Sequence, residues 1–197
     1  MTQELQQRQQ HPEIQVPGPG TYTFDPAHTE VGFWARHLMV AKVRGRFSGV
    51  SGTVEVGETP EASSIDVLID AGSIDTRNDG RDEHLRSPDF LDVERFPHLR
   101  FRSTKVERTG ERTGLIHGEL TIRDVTLPVI LDAEFNGVSV DPMGNPHAGF
   151  SATAEIDREA FGITWNMALE TGGVLVGRTV KIELEVELVP AAAQAAA

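Results

Sequence analysis

The stretch RDEHLRSPDFLDVERFPHLRF, Arg81 to Phe101, gathers the residue types that do chemistry. Arg81, Asp82, Glu83, His84, Arg86, Asp89, Asp92 and His98 all fall within it. A histidine beside carboxylates can act as acid and base, because imidazole titrates near neutral pH. One reading is therefore an enzyme that uses the His/Asp/Arg cluster 81–98 on a lipid-like substrate. A bland reading competes with it. Arg81 and Asp82 are the best candidates for a structural ion pair or cap, because a helical segment over an apolar core has backbone ends that must be satisfied.

Other chemistries have less support. His11, His28, His37, His117 and His147 are scattered, and neither HxH nor HExxH occurs, so spacing assigns no metal site. The chain has no Cys, which removes disulfides, thiolate nucleophiles and Cys-ligated metals together. There is no GxSxG elbow, no GxGxxG after a strand and no phosphate loop, so no catalytic residue and no nucleotide cofactor is expected. The net charge of -12 disfavours nucleic acid and anionic membrane surfaces.

The elements that must position these residues are mostly strands. In the last run Val180, Ile182, Leu184, Val186 and Leu188 alternate with Lys181, Glu183, Glu185 and Glu187. A pleated strand sends such neighbours to opposite faces, one apolar and one wet. The same parity runs through Val125, Leu127, Val129, Leu131, Ala133 and Phe135, and through Ala148, Phe150, Ala152, Ala154 and Ile156. Ile65, Val67 and Ile69 form another set; Val31, Phe33 and Ala35, then Val43, Gly45 and Phe47, form the first. Turn signals separate the runs at Thr109-Gly110, at Arg123-Asp124 and over Asp141 to Pro146. Arg123-Asp124 reads as a two-residue hairpin because Asp tolerates positive φ. About eight strands result, and closing them into a barrel removes exposed edges.

One segment breaks the β pattern. Asn78, Asp79 or Asp82 caps a helical turn through DEHL, and Ser87-Pro88 reads as a second helix start. The expectation is a helical insertion around residues 79–92, with Leu85, Phe90 and Leu91 on its apolar side. The ends differ from this core. Residues 1–20 are rich in Gln and Pro, and residues 190–197 are mostly Ala, so both read as disordered tails around a domain at 21–189. The N-terminus holds no apolar h-region, so a cytoplasmic protein without stable membrane insertion is expected.

Several segments in order resemble the YceI-like family, lipocalin-like proteins that bind polyisoprenoids and related lipids. Tyr22-Thr23-Phe24-Asp25-Pro26-Ala27-His28-Thr29 resembles the family's opening. His37-Leu38 and Gly45-Arg46-Phe47 resemble its first strands. Ser73-Ile74, Thr76, Arg81-Asp82, His84-Leu85, Ser87, Phe90-Leu91 and Phe96-Pro97 stand in register with its central signature. GELTIRDVTLPVIL and REAFGITW resemble later segments; Asp124 and Leu127 depart from the family's frequent Gly and Lys. The resemblance implies an all-β fold: an eight-stranded antiparallel barrel with helical cover and an elongated apolar pocket.

Such a barrel is either filled by side chains, as an interaction module, or holds one ligand. Energetics select the ligand class. A buried CH₂ is worth about 0.8 kcal/mol, micromolar binding needs about 8 kcal/mol, and association costs roughly 4–15 kcal/mol more. A purely apolar ligand then needs on the order of 15–30 buried carbons, a long isoprenoid such as a quinone tail or a long acyl chain. The expected ligand contacts are Phe33, Leu38, Met39, Phe47, Ile74, Leu85, Phe90, Leu91, Phe101, Phe161 and Trp165. Head-group contacts are expected from His37, Arg81 and His84. Trp34, of opposite parity to Phe33, should face outward. Edge-like strands and the family's habits lead to an expected homodimer.

Overall fold

The structure is a computed structural model, and it describes residues 16–168 and 173–191. Most of both expected tails, residues 1–15 and 192–197, lies outside the described residues.

Strand alternation produces eight staves of one antiparallel ring. The first is β1 (Gly20–Phe24) and β2 (Glu30–His37), the second β3 (Ala41–Phe47) and β4 (Val50–Val56). The third is β5 (Ser64–Asp70) and β6 (Ile74–Asp75). Single strands make the rest: β7 (His98–Arg108), β8 (Thr113–Ile122), β9 (Val125–Val140), β10 (Pro146–Asp157) and β11 (Val176–Pro190). Each stave pairs with its sequence neighbours. The last pairs with the first, through Tyr22 opposite Pro190 and His37 opposite Val176, so the ring closes. Among the described staves no long edge is left free, which removes the edge argument for a homodimer.

The parity reading holds. Val129, Leu131, Ala133 and Phe135 of β9, and Leu188 of β11, face inward and are buried. Trp34 faces outward as expected, yet it is buried. Lys42 lies 3.9 Å above its ring, Lys181 lies 5.6 Å away, and its indole N–H donates to Glu183 at 2.7 Å. Long cationic stems cover the aromatic face while their ammonium groups stay wet.

Turn chemistry differs in detail. The β8–β9 hairpin does have two residues, since Ile122 pairs with Val125. However, Arg123 takes the positive φ, at 58°, rather than Asp124. Its guanidinium points toward the carbonyls of Phe90 and Gly162, at 3.4 and 3.5 Å, which gives this backbone a tertiary role.

The helical insertion is shorter than expected. α1 spans Asp79–Arg86, capped by the Asn78 side chain, which accepts from the Arg81 N–H at 2.9 Å. Ser87 closes this helix instead of opening another: its N–H donates to His84 O at 3.1 Å. Hydrogen-bonded turns follow, and Asp92 with φ of 51° interrupts any helical run.

Candidate functional site

The inward faces of the staves do not meet. They enclose a cavity of about 1200 Å³. Its wall is apolar along the barrel axis, from Ile122 and Ile163 at one end to Val56 and Leu188 at the other. Val31, Phe33, Ile65, Val67, Ile182 and Leu184 have inward parity but are only half-buried, because they face this space. A barrel filled by its own side chains is therefore overturned.

Two glycines keep the wall thin. Gly45 lies opposite Phe33 in the β2–β3 pairing, and a Cβ there would overlap the Phe33 ring. A Cβ at Gly118 would overlap the Phe101 ring in the same way. Each phenyl can thus lie against the neighbouring strand instead of standing into the cavity.

The two ends are built differently. At one, α1 and the turns after it lay Leu85, Phe90 and Leu91 over the barrel, beside Phe47 and Ile74. Arg86 fastens α1 by donating to Gly72 O at 2.8 Å and Ile74 O at 2.7 Å. Asp82, 5% exposed, accepts from the Thr76 N–H at 2.9 Å and from its hydroxyl. Arg81 donates to Thr76 Oγ1 at 2.7 Å and to Thr76 O at 2.9 Å. Arg81 and Asp82 are therefore scaffold, through a shared threonine rather than a direct pair.

Arg158 performs the same service at the cavity wall. It is 3% exposed and donates to Gly177 O and Trp165 O at 3.0 Å and to Ile163 O. Burial pushes its pKa down, while Glu159 and Asp157 oppose the shift. Sequence reasoning placed Arg158 in a motif without a role, because its partners are backbone carbonyls that carry no sequence signature.

Among the described residues no α-helix covers the other end, where Val16 to Pro19 also line the cavity. Short loops rim it with exposed Glu58, Thr59, Glu61, Arg108, Glu111 and Arg112.

Of the expected contacts, Phe33, Phe47, Ile74, Leu85, Phe90, Leu91 and Phe101 line the cavity. Four do not. Leu38 and Met39 form the β2–β3 turn, 40% and 55% exposed, both with positive φ. The strand reaches His37 before turning, which carries them past the wall. Phe161 is 2% exposed and packs within the apolar core instead of facing the cavity. Trp165 stacks behind the cover, its ring 5.3 Å from Phe90 and 4.6 Å from His84.

The expected head-group residues are also displaced. Arg81 is committed to Thr76, and His84 bonds Asp89 at 2.9 Å while packing edge-on against Phe90. His37 ends β2 on the capped side. None of the three lies on the cavity wall.

The chain is 41% identical over 169 residues to a UPF0312 protein of Staphylococcus aureus (strain bovine RF122 / ET3-1), covering 84% of this chain and 95% of that one. A Campylobacter jejuni YCEI protein matches with a TM-score of 0.67 and 30% identity, over 78% of this chain and 88% of that chain. Burkholderia cenocepacia BcnA shares the fold at a TM-score of 0.71 and 21% identity, over 83% and 98%. A polyisoprenoid binding domain from Saccharophagus degradans, implicated in plant cell wall breakdown, shares it at 0.65 and 12% identity, over 88% and 99%. The YceI-like domain matches residues 22–188, and the chain belongs to that family.

Proposed function

We propose that the barrel binds one long-chain isoprenoid, such as a quinone tail, or a related acyl lipid, for carriage, storage or sequestration. The chain lies in the cavity and the polar head sits at the open rim, near Arg108 and Arg112 rather than His37, Arg81 or His84. The observation that carries the reading is the apolar cavity of about 1200 Å³. At about 30 Å³ per heavy atom, the share of a liquid water, it accommodates roughly 40 such atoms. That exceeds the 15–30 carbons, on the order of what binding energetics require. Shared fold with a neighbour named as a polyisoprenoid binding domain supports the ligand class. Among the described residues no helix is long and apolar enough to cross a membrane.

The test is a titration of stripped protein with polyprenyl and acyl chains of increasing length. Affinity should rise with chain length and level off once the cavity is full. Equal affinity for short and long chains, or no uptake of either, contradicts the proposal. If the chain also pairs with itself, the exposed apolar turn at Leu38, Met39 and Val40 is where we place the contact. Sedimentation should then show a dimer that Met39→Asp dissociates.

A further inference from the structure

A second polar cluster lies on the outer face of the barrel, and lipid binding uses none of it. It spans three staves. Asp25 and His28 occupy the break between β1 and β2, His147 lies near the start of β10, and Glu187 lies near the end of β11. Phe24, Ala148 and Leu188 are buried on the inner face, so the alternation of each strand turns Asp25, His147 and Glu187 outward.

Their donor atoms converge. His28 Nδ1 lies 2.8 Å from Asp25 Oδ2 and 3.5 Å from Glu187 Oε1. His147 Nδ1 lies 2.5 Å from the same Glu187 oxygen. One ligand atom from each of Asp25, His147 and Glu187 falls within 4.8 Å of the others. All three side chains are half-buried, and His28 is exposed, so an ion from solvent can reach them.

The backbone fixes this arrangement. The Asp25 N–H donates to Glu187 O at 2.8 Å. The Thr29 hydroxyl donates to Glu187 O and accepts from the Glu187 N–H, each at 3.3 Å. Asp25 Oδ1 accepts from the Ala27 N–H at 2.8 Å, which holds Oδ2 toward His28. Behind His147, Asp141 Oδ2 stands 3.5 Å from Nε2, and Asp141 is itself oriented by Asn145 and by the Met143 N–H.

We propose that Asp25, His28, His147 and Glu187 form a binding site for a divalent transition-metal ion of the zinc class. The donor set is two imidazole nitrogens and two carboxylate oxygens, a mixture that suits zinc better than the all-oxygen shells of calcium or magnesium. Bonds of about 2.0–2.1 Å in a tetrahedron put donor atoms roughly 3.3 Å apart. Three donor pairs, at 2.5, 2.8 and 3.5 Å, bracket that value; Asp25, His147 and Glu187 already converge, and His28, exposed beside Asp25, completes the shell by rotating inward. Two carboxylates and two neutral imidazoles balance a charge of +2. Asp141 behind His147 is the outer carboxylate that orients a ligating imidazole. The first stave pairs with β11 through β1 at only three positions, Tyr22 to Phe24, and the bound ion pins the ring at that seam. Histidine spacing in the sequence hides the site, because its ligands run from position 25 to 187.

The experiment uses the untagged full chain, stripped with chelator and then titrated with Zn²⁺ by calorimetry. One ion should bind per chain and raise the Tm, as binding to the folded state alone requires. Asp141→Asn should weaken binding about 10–100-fold. His147→Gln and Glu187→Gln should each abolish the Tm rise, while His98→Gln, remote from the seam, should leave it intact. Co²⁺ in the unmutated protein should give the intense visible absorption of a tetrahedral site. Absence of Zn²⁺ binding, a Co²⁺ spectrum of the hydrated ion, or binding undiminished in both His147→Gln and Glu187→Gln overturns the proposal.

Discussion

The two ends of the barrel handle polar groups in opposite ways. At the capped end Arg81, Asp82, Arg86 and Arg158 are all turned inward to bind backbone carbonyls or Thr76. At the open end the loop arginines stay on the surface: Arg108 donates to Gly110 O at 2.8 Å, and Arg112 to Asn136 O on β9 at 3.2 Å. The difference teaches what the dense stretch 81–101 is for. A cover of irregular chain carries many backbone groups that no sheet satisfies, and charged side chains must satisfy them. Hairpins at the open end leave fewer buried backbone groups to satisfy, so Glu58, Glu61, Arg108, Glu111 and Arg112 stay exposed there. Charge density along the sequence therefore marks the scaffold, and the apolar wall is the surface we propose for the ligand.

Breaking the capped end should have the largest effect. Arg158→Met leaves several buried carbonyls without donors and should cost about 3–5 kcal/mol, read from urea unfolding. Asp82→Ala should follow at about 2 kcal/mol, since it removes charge-assisted bonds to Thr76. The folded fraction of that variant should still bind lipid. A variant of normal stability that loses a turnover would instead restore the enzyme reading. The cavity should respond differently. Ala133→Phe adds volume where the wall faces the cavity, displacing about two methylenes of ligand. The longest chains should then bind about tenfold more weakly, with short chains and stability nearly unchanged.

The smallest effect concerns the outer surface between the ends. Arg100, with Arg102, holds the Asp66 carboxyl below the usual range, through hydrogen bonds that outweigh its partial burial. Because its folded pKa is depressed, Asp66 contributes stability above the unfolded value of about 3.9, and loses it as pH falls through the lower folded value. Asp66→Asn should thus cost about 1 kcal/mol or less at pH 7, since the pair is solvent-exposed. The difference from the unmutated protein should vanish in strong acid, as measured by unfolding at both pH values.

Much of this architecture was legible in the strands. The parity of Val180 to Leu188 and of Val125 to Phe135 fixed which side chains face inward, and turn residues separated them into about eight staves. Leu85, Phe90 and Leu91 were legible as the cover. What was not legible depends on tertiary partners. Ser87-Pro88 has the residue types of a helix start, but the positive φ at Asp92 ends the run. The Arg123 conformation follows from its reach to the cover loops. Leu38 and Met39 read as mouth residues because they are apolar, yet a three-residue turn, closed where His37 pairs with Ala41, leaves them outside. The hollow interior itself was open on sequence alone, because inward apolar residues read the same whether they fill a core or line a cavity. The seam cluster was invisible for a related reason: Asp25, His147 and Glu187 meet only when the ring closes.

The most direct measurement is native mass spectrometry of gently purified protein, followed by organic extraction and identification of what is released. Lipid binding in the barrel predicts one long isoprenoid or acyl lipid per chain in the unmutated protein, and a shorter one in Ala133→Phe. A folded protein that emerges without lipid, and stays so after incubation with total lipid extract, would contradict it.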